Sequence, residues 1–394
     1  MNITSKTNYS ILSVLLLCTF LSFGQRGKNA APIHKPFTEK YWAAVTKNVA
    51  FDQYKSTDAV RSTNDQAFGV MLKDFDFTNG IIEFDVELKG KGFPGINFRA
   101  SKDTLNSEIF YLRHFGKPNP MLRTTMQYAA VMDGVNLWDV TDDYQAASTL
   151  YEGKWNHIKL VVMGKRLTVF VNDMDQPALI VPAMEGITGS GSIGLSGNVV
   201  YANFKITPIE TEALPDFAAY DPTFADPYHL RKWQVTQPID FPFGKDIMDG
   251  ISVSPGVKIN SNYLDSTTTW TPISAGRRAL VNLTKEFGGT KNGNRRLTWL
   301  KTTVKSEKEQ KKLLKLGFSD EVWVFINDQP LYQDKNYYGS PGMKYPVGRA
   351  TLNNASFEVP LQEGENEILI GLSNYFYGWG IIARFDDAEG IQFN

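Results

Sequence analysis

The sequence predicts an all-β chain made of two β-sandwich (jelly-roll) domains joined by a proline-bearing linker. Three observations point there. Short segments alternate apolar and polar residues and are punctuated by Gly, Asn, Asp and Pro. No long stretch keeps the 3.6-residue period of an amphipathic helix. Between two such sets of strands, residues 207–228 carry Pro208, Pro215, Pro222 and Pro227 with several acidic residues and no alternation, the composition of a linker.

In chain order, residues 1–24 have the build of a secretory signal. Lys6 precedes an apolar run over 11–23, and Ser22, Phe23 and Gly24 form a small-x-small cleavage pattern before Gln25. The run is shorter than the roughly 20 apolar residues a bilayer span needs, and no later segment is apolar enough for a membrane span. Cys18, the only cysteine, follows Leu15, Leu16 and Leu17 rather than the small residues of a lipobox, so cleavage without lipidation is expected. The mature chain would then be exported, periplasmic or extracellular. It would hold no disulfide and depend on its hydrophobic core. The 41 Lys and Arg nearly balance the 42 Asp and Glu, which excludes the basic excess of a nucleic-acid partner.

The first domain is expected over 37–206, with strands at 81–88, 95–99, 108–114, 156–162, 167–172 and 199–206. Side chains two apart share a strand face. Asn97 and Arg99 therefore lie opposite Ile96 and Phe98, Tyr111 and Arg113 opposite Phe110 and Leu112, and Gln127 opposite Met126 and Tyr128. If these strands are neighbours, Asn97, Arg99, Tyr111, Arg113 and Gln127 form one polar-aromatic platform. Rings stack on the apolar face of a pyranose while Arg, Asn and Gln bond its hydroxyls. An ordinary solvated sheet face with cross-strand pairs is the alternative. Glu83, Asp85 and Glu87 share the other face of their strand from Phe84 and Val86 and are the catalytic candidates. At strand rise Glu83 and Glu87 stand about 13 Å apart at Cα, whereas a retaining glycosidase brings its carboxyl groups to about 5–5.5 Å. The bland reading is an amphipathic strand.

The second domain is expected over 229–394, with strands at 233–236, 279–283, 297–305, 313–316, 322–327, 356–359, 367–372 and 380–385. The charged stretch 305–315 reads as a solvated connection. Tyr375, Phe376, Tyr377 and Trp379 cluster around Gly378 and Gly380. Tyr375 and Tyr377 are candidates to contact a sugar, and Trp379 is expected in the core.

Oxygen ligands for a structural calcium are offered by Asp139, Asp142 and Asp143, or by Asn172, Asp173 and Asp175, though solvated loops explain both clusters. His34, His114, His157 and His229 show no metal-ligand spacing. No nucleophile elbow or phosphate-binding glycine loop is present.

Two resemblances join these readings. The segments "FTNGIIEFDVEL", "GINFRA", "EIFYLRH", "WNHIKLVVMGKRLTVFVND", "GSGSIGLSG" and "YANFKI" resemble the concanavalin A-like lectin/glucanase superfamily, nearest to laminin-G-like and 3-keto-disaccharide hydrolase-like domains. Glu83-Phe84-Asp85-Val86-Glu87 resembles the strand signature of family 16 glycoside hydrolases, in which the first Glu is the nucleophile and the last the acid/base; the Trp-rich flanks of that family are missing. The segments "LGFSDEVWVFINDQPLY" and "SFEVPLQEGENEILIGLSNYFYGWGIIARF" resemble a galactose-binding-like jelly roll, with Asp320, Asn327, Gly364, Asn366 and Trp379 at its turn and strand positions. The resemblances imply a poly- or oligosaccharide partner. Three expectations follow: an exported carbohydrate-binding protein of a bacterial glycan-utilisation system, a glycoside hydrolase with an accessory sugar-binding module, or a non-catalytic surface scaffold.

Overall fold

The computed structural model describes residues 31–141, 144–209, 221–248, 263–290 and 294–393. The signal-like segment with Cys18, the calcium candidates Asp142 and Asp143, and Pro215 of the linker lie outside the described residues.

Alternation of apolar and polar side chains produces two sandwiches. In the first, an antiparallel sheet runs in the order Leu179–Val181, Arg166–Val171, Asn156–Met163, Gly80–Leu88, Val199–Pro208, Thr57–Ser62, Val49–Tyr54. Its partner runs Val135–Asn136, Met126–Met132, Ser107–Leu112, Gly95–Ala100, Ser192–Gly197, Phe68–Leu72, Trp42–Ala44. Ile82, Phe84, Val86 and Leu88 of one sheet and Ile96, Phe98, Phe110 and Leu112 of the other belong to a single buried core. Each such side chain contributes about 1.5–3 kcal/mol on burial. Glu83, Asp85 and Glu87 consequently point out of the first sheet. Tyr111, Arg113 and Gln127 point out of the second, on the opposite side of the sandwich.

The second sandwich pairs a large sheet, ordered Thr271–Ser274, Lys232–Val235, Arg296–Ser306, Gly364–Asn374, Glu321–Ile326, Gln329–Lys335, with a smaller one, ordered Val281–Asn282, Gly380–Phe385, Gln310–Ser319, Ala355–Leu361. Leu300, Leu314, Leu316, Val324, Ile370 and Trp379 lie in the core between them. Trp379 is fully buried, and its indole N–H donates to the Gly288 carbonyl at 3.0 Å. The other side of the large sheet is covered by Phe241 and Ile247, packed on Trp299, Trp323 and Phe325.

Three local features differ from the sequence expectation. Residues 310–315 are strand, paired to Ser356–Leu361 partners through Gln310↔Leu361 and Lys315↔Ser356, because Leu314 and Leu316 face the core while Lys311, Leu313 and Lys315 face out. Thr207 and Pro208 are still strand, paired with Ile81 and Gly80. Leu283–Phe287 is a short helix whose Asn282 side chain accepts from the Lys285 N–H at 3.1 Å, and it ends at Gly288 with φ 70. Among the described residues no helix is long and apolar enough to cross a membrane.

The sandwiches meet at a third apolar cluster. Met132, Val135, Leu137 and Val140 of the first pack on Ala279, Leu280, Ala350 and Ile382 of the second. Asp139 is fully buried there: its carboxylate accepts from the Gly378 N–H at 3.0 Å, and its backbone carbonyl accepts from the Ala350 N–H at 2.8 Å. Gly378 has no room for a side chain, since a Cβ would come within 2.9 Å of both Asp139 Oδ1 and Val140 Cγ2. Arg278 reaches the Val140 carbonyl at 2.7 Å, and Arg277 pairs with Glu185 at 3.4 Å.

Candidate functional site

Strand pairing brings four of the five first-sandwich candidates onto one face. Tyr111 lies directly across from Gln127, and Gln127 across from Gln145. Gln127 Oε1 accepts from Arg113 Nη2 and, at 2.9 Å, from Gln145 Nε2. Arg113 Nη2 also reaches the Tyr111 hydroxyl at 3.5 Å. The guanidinium sits 5.6 Å from the Phe93 ring centre and 5.7 Å from that of Tyr111, a cation–π bracket. Phe93 and the neighbouring Phe115 are more than half exposed, whereas Tyr111 is buried beneath them, and burial raises its pKa so that it remains a neutral hydroxyl. Asn97 shares the face one row away, bonded to Ser107 Oγ at 3.0 Å.

Arg99 does not join them, which corrects the platform drawn from alternation. Its φ of 52 breaks the two-residue period, and the facing strand has a register shift at the same level, between Ser192 and Gly194. The side chain turns instead to the Thr78 carbonyl (2.8 Å from Nε) and the Gly164 carbonyl (2.8 Å), tying two loops together.

The same face continues across the junction. Asn136 side-chain oxygen accepts from the Trp138 N–H at 3.0 Å, placing Trp138 next along the surface from Tyr111, which Asn136 also bonds. Arg349 of the second sandwich lies 5.7 Å from the Trp138 ring. Trp138 meets Tyr338 edge-on at 5.0 Å and Tyr377 at 6.4 Å. Tyr338 stacks on Phe376 at 5.3 Å, Phe376 touches Tyr377 at 4.5 Å and Tyr375 at 6.4 Å, and Tyr375 is flanked by Phe243 at 4.8 Å and Tyr337 at 5.5 Å. Tyr377, Tyr338 and Phe243 are 37%, 47% and 58% exposed, so the rings are offered to solvent. The loop that displays them is pinned from below. Asp320 accepts from the N–H groups of Tyr375 and Phe376 at 2.6 and 2.7 Å, and burial pushes its carboxyl up to about 7.

Trp138, Tyr338, Phe93, Phe115 and Phe376 did not stand out as partners in the sequence. Phe376 was visible only as part of the aromatic run; the others reach the surface through loop placement and through docking of residues two hundred positions apart.

Glu83, Asp85 and Glu87 occupy the other outward face, and each has cationic or polar partners. His157 Nδ1 lies 2.6 Å from Asp85 and its Nε2 3.4 Å from Glu83; Lys205 adds a contact to Glu83 at 3.2 Å, and Asn203 donates to Asp85 at 2.6 Å. Glu87 takes Lys55 at 2.6 Å, Lys89 at 2.5 Å and the Tyr54 hydroxyl at 3.0 Å. Among the described residues Glu83 and Glu87 share no partner. In the calcium candidates, Asp173 Oδ1 accepts from the N–H groups of Asp175 and Gln176 at 2.9 and 3.1 Å, and Asn172 bonds the His157 N–H and the Thr149 carbonyl, so these groups serve the turn. Among the described residues no group of three or more His, Cys, Asp or Glu side chains is placed to hold a metal ion.

No protein-family model matches the chain, and no curated protein matches it. Among solved structures it is similar to the carbohydrate binding module CBM66 from Bacillus subtilis (16% identity, TM-score 0.33, covering 45% of this chain and 100% of that one). It is also similar to a protein of unknown function with a galectin-like fold from Bacillus subtilis (15%, 0.36, 46% and 97%), and to the Bacillus licheniformis beta-glucanase (11%, 0.33, 46% and 99%). Likenesses this distant do not extend to ligand or activity.

Proposed function

We propose that the protein is an exported carbohydrate-binding protein of a bacterial glycan-utilisation system, and that the aromatic face shared by the two sandwiches is its glycan contact. The observation that carries this is a pair of ring groups on one face, Phe115, Phe93 and Tyr111 in the first and Trp138, Tyr338, Tyr377, Tyr375 and Phe243 in the second, linked through Asn136, several of them exposed and accompanied by Arg113 and Asn97. Flat rings offer the apolar face of a sugar a large contact at small entropic cost, and the polar side chains between them fix its hydroxyls. An aromatic strip of this kind that served only packing would be covered.

The mature chain tested on a glycan array and by affinity electrophoresis, with reducing-sugar release assayed on every polysaccharide retained, distinguishes the readings. Retention without release is the expected result. Release that Glu83→Gln abolishes would replace binding by glycoside hydrolysis at Glu83, Asp85 and Glu87. No retention on a broad panel would leave a scaffold whose rings meet protein.

A further inference from the structure

Arg113 has no counter-ion among the described residues, unlike the lysines that meet Glu83 and Glu87 on the opposite face. Among the described residues no carboxylate pairs with it, and its hydrogen-bond partners are Gln127 and Tyr111, both through Nη2. Its Nε is buried without a partner. Nη1 also has none and remains accessible. Gln127, with no exposed surface, is locked with its oxygen toward Arg113 and Gln145, and this leaves its Nε2 donor unmet as well. Unmet buried donors are costly, of order 1–3 kcal/mol each, and here they gather around one uncompensated positive charge. The bordering segments 89–95 and 113–125 add Lys91 and Lys117 and contain no Asp or Glu.

A neutral sugar hydroxyl both gives and takes a hydrogen bond. A centre that only donates, and carries net positive charge, is matched by a group that only accepts and is negative. We infer that the glycan bound by this face is acidic, with a carboxylate or a sulfate ester seated at the Arg113 guanidinium between Phe93 and Tyr111. The inference rests on the carbohydrate-binding reading and names its ligand class.

Matched polymers test it on the mature protein: polygalacturonate against its methyl ester, and dextran sulfate against dextran, by affinity electrophoresis and calorimetry. Wild type should prefer the charged member of at least one pair by about tenfold or more, the scale of one charge-assisted hydrogen bond. Which pair responds tells carboxylate from sulfate. Arg113→Gln should erase the preference. Gln127→Glu should erase it too while keeping the fold, because the new carboxylate pairs with Arg113 in place of the ligand; its unfolding midpoint should not fall. Equal binding of charged and neutral members, or a preference that survives both substitutions, would overturn the inference and leave the carbohydrate reading standing. Failure to bind any glycan, charged or neutral, would bring down both.

Discussion

The two outward faces of the first sandwich are built from the same kind of strand, yet they end in opposite states. On one, every candidate carboxylate is answered: Glu87 by two lysines and a tyrosine, Asp85 by His157 and Asn203, Glu83 by His157 and Lys205. On the other, Arg113 and Gln127 hold donors with nothing to bond, beside rings left open to solvent. A satisfied polar network stabilises a sheet, whereas an unsatisfied one beside exposed rings has a cost that folding does not repay. The suggestive spacing of Glu83, Asp85 and Glu87 therefore says less about function than the unmet chemistry around Arg113.

The contrast can be broken by experiment. The largest effect should come from Trp138→Ala combined with Tyr377→Ala, which removes rings from both sides of the junction. Polysaccharide affinity should fall about 30-fold or more, on the scale of interface hot spots, while Glu83→Gln should leave it within about twofold; affinity electrophoresis reads both. Next is Asp139→Asn. Burial, then the neighbouring Asp320, raise the Asp139 carboxyl well above its ordinary value, and Asp320 itself is pushed up to about 7. A carboxyl whose folded pKa is raised contributes most below its unfolded pKa and loses that contribution as pH rises through the folded one. Wild type should thus lose stability from pH 5 to pH 8, and Asp139→Asn should unfold several degrees higher at pH 8 with a flatter pH profile by calorimetry. Glu87→Ala should cost about 1–2 kcal/mol in chemical denaturation, since it strips a buried acceptor from partially exposed donors, and should leave glycan binding unchanged.

The smallest effect sharpens the account of the satisfied face. The hydrogen bond to Asp85, outweighing burial, raises the His157 pKa above 6.5. Its contribution is complete below that ordinary value and is lost as pH rises through the folded one. Burial alone would raise the Asp85 carboxyl, but hydrogen bonds from His157 and Asn203 bring it below 3.8, so its contribution is lost only as pH falls through that lowered value. Stability attributable to this pair should decline above neutrality by less than about 1 kcal/mol, because His157 is a third exposed. His157→Gln should remove the decline, as thermal melts across pH 6–9 would show.

Much of this was legible in the sequence. Alternation placed Ile82, Phe84, Ile96, Phe98, Phe110 and Leu112 in one core and put Asn97, Tyr111, Arg113 and Gln127 on a common face. Arg99 escaped because one left-handed residue shifts every side chain after it, and a side-chain count assumes that none occurs. The hairpin Val49–Tyr54 and Thr57–Ser62 at one end of its sheet escaped because half-buried strands dilute the apolar period. The aromatic run at 375–377 was visible as composition. Its neighbours Trp138, Tyr338 and Phe243 were not, because loops of the same sandwich bring Tyr338 and Phe243 to it and the packing of one sandwich on the other brings Trp138.

That packing has a further consequence. Leu137, Val140, Leu280, Ala350 and Ile382 close the junction with apolar side chains, and Gly378 is locked over Asp139, so among the described residues the two sandwiches that carry the aromatic face are packed directly on one another. The interval from Arg113 to Phe243 is set when the chain folds. The surface then behaves as a ruler: no entropy is lost in drawing two halves together on binding. Affinity should climb as an oligosaccharide lengthens, level off once it fills the interval, and gain nothing from units that overhang it.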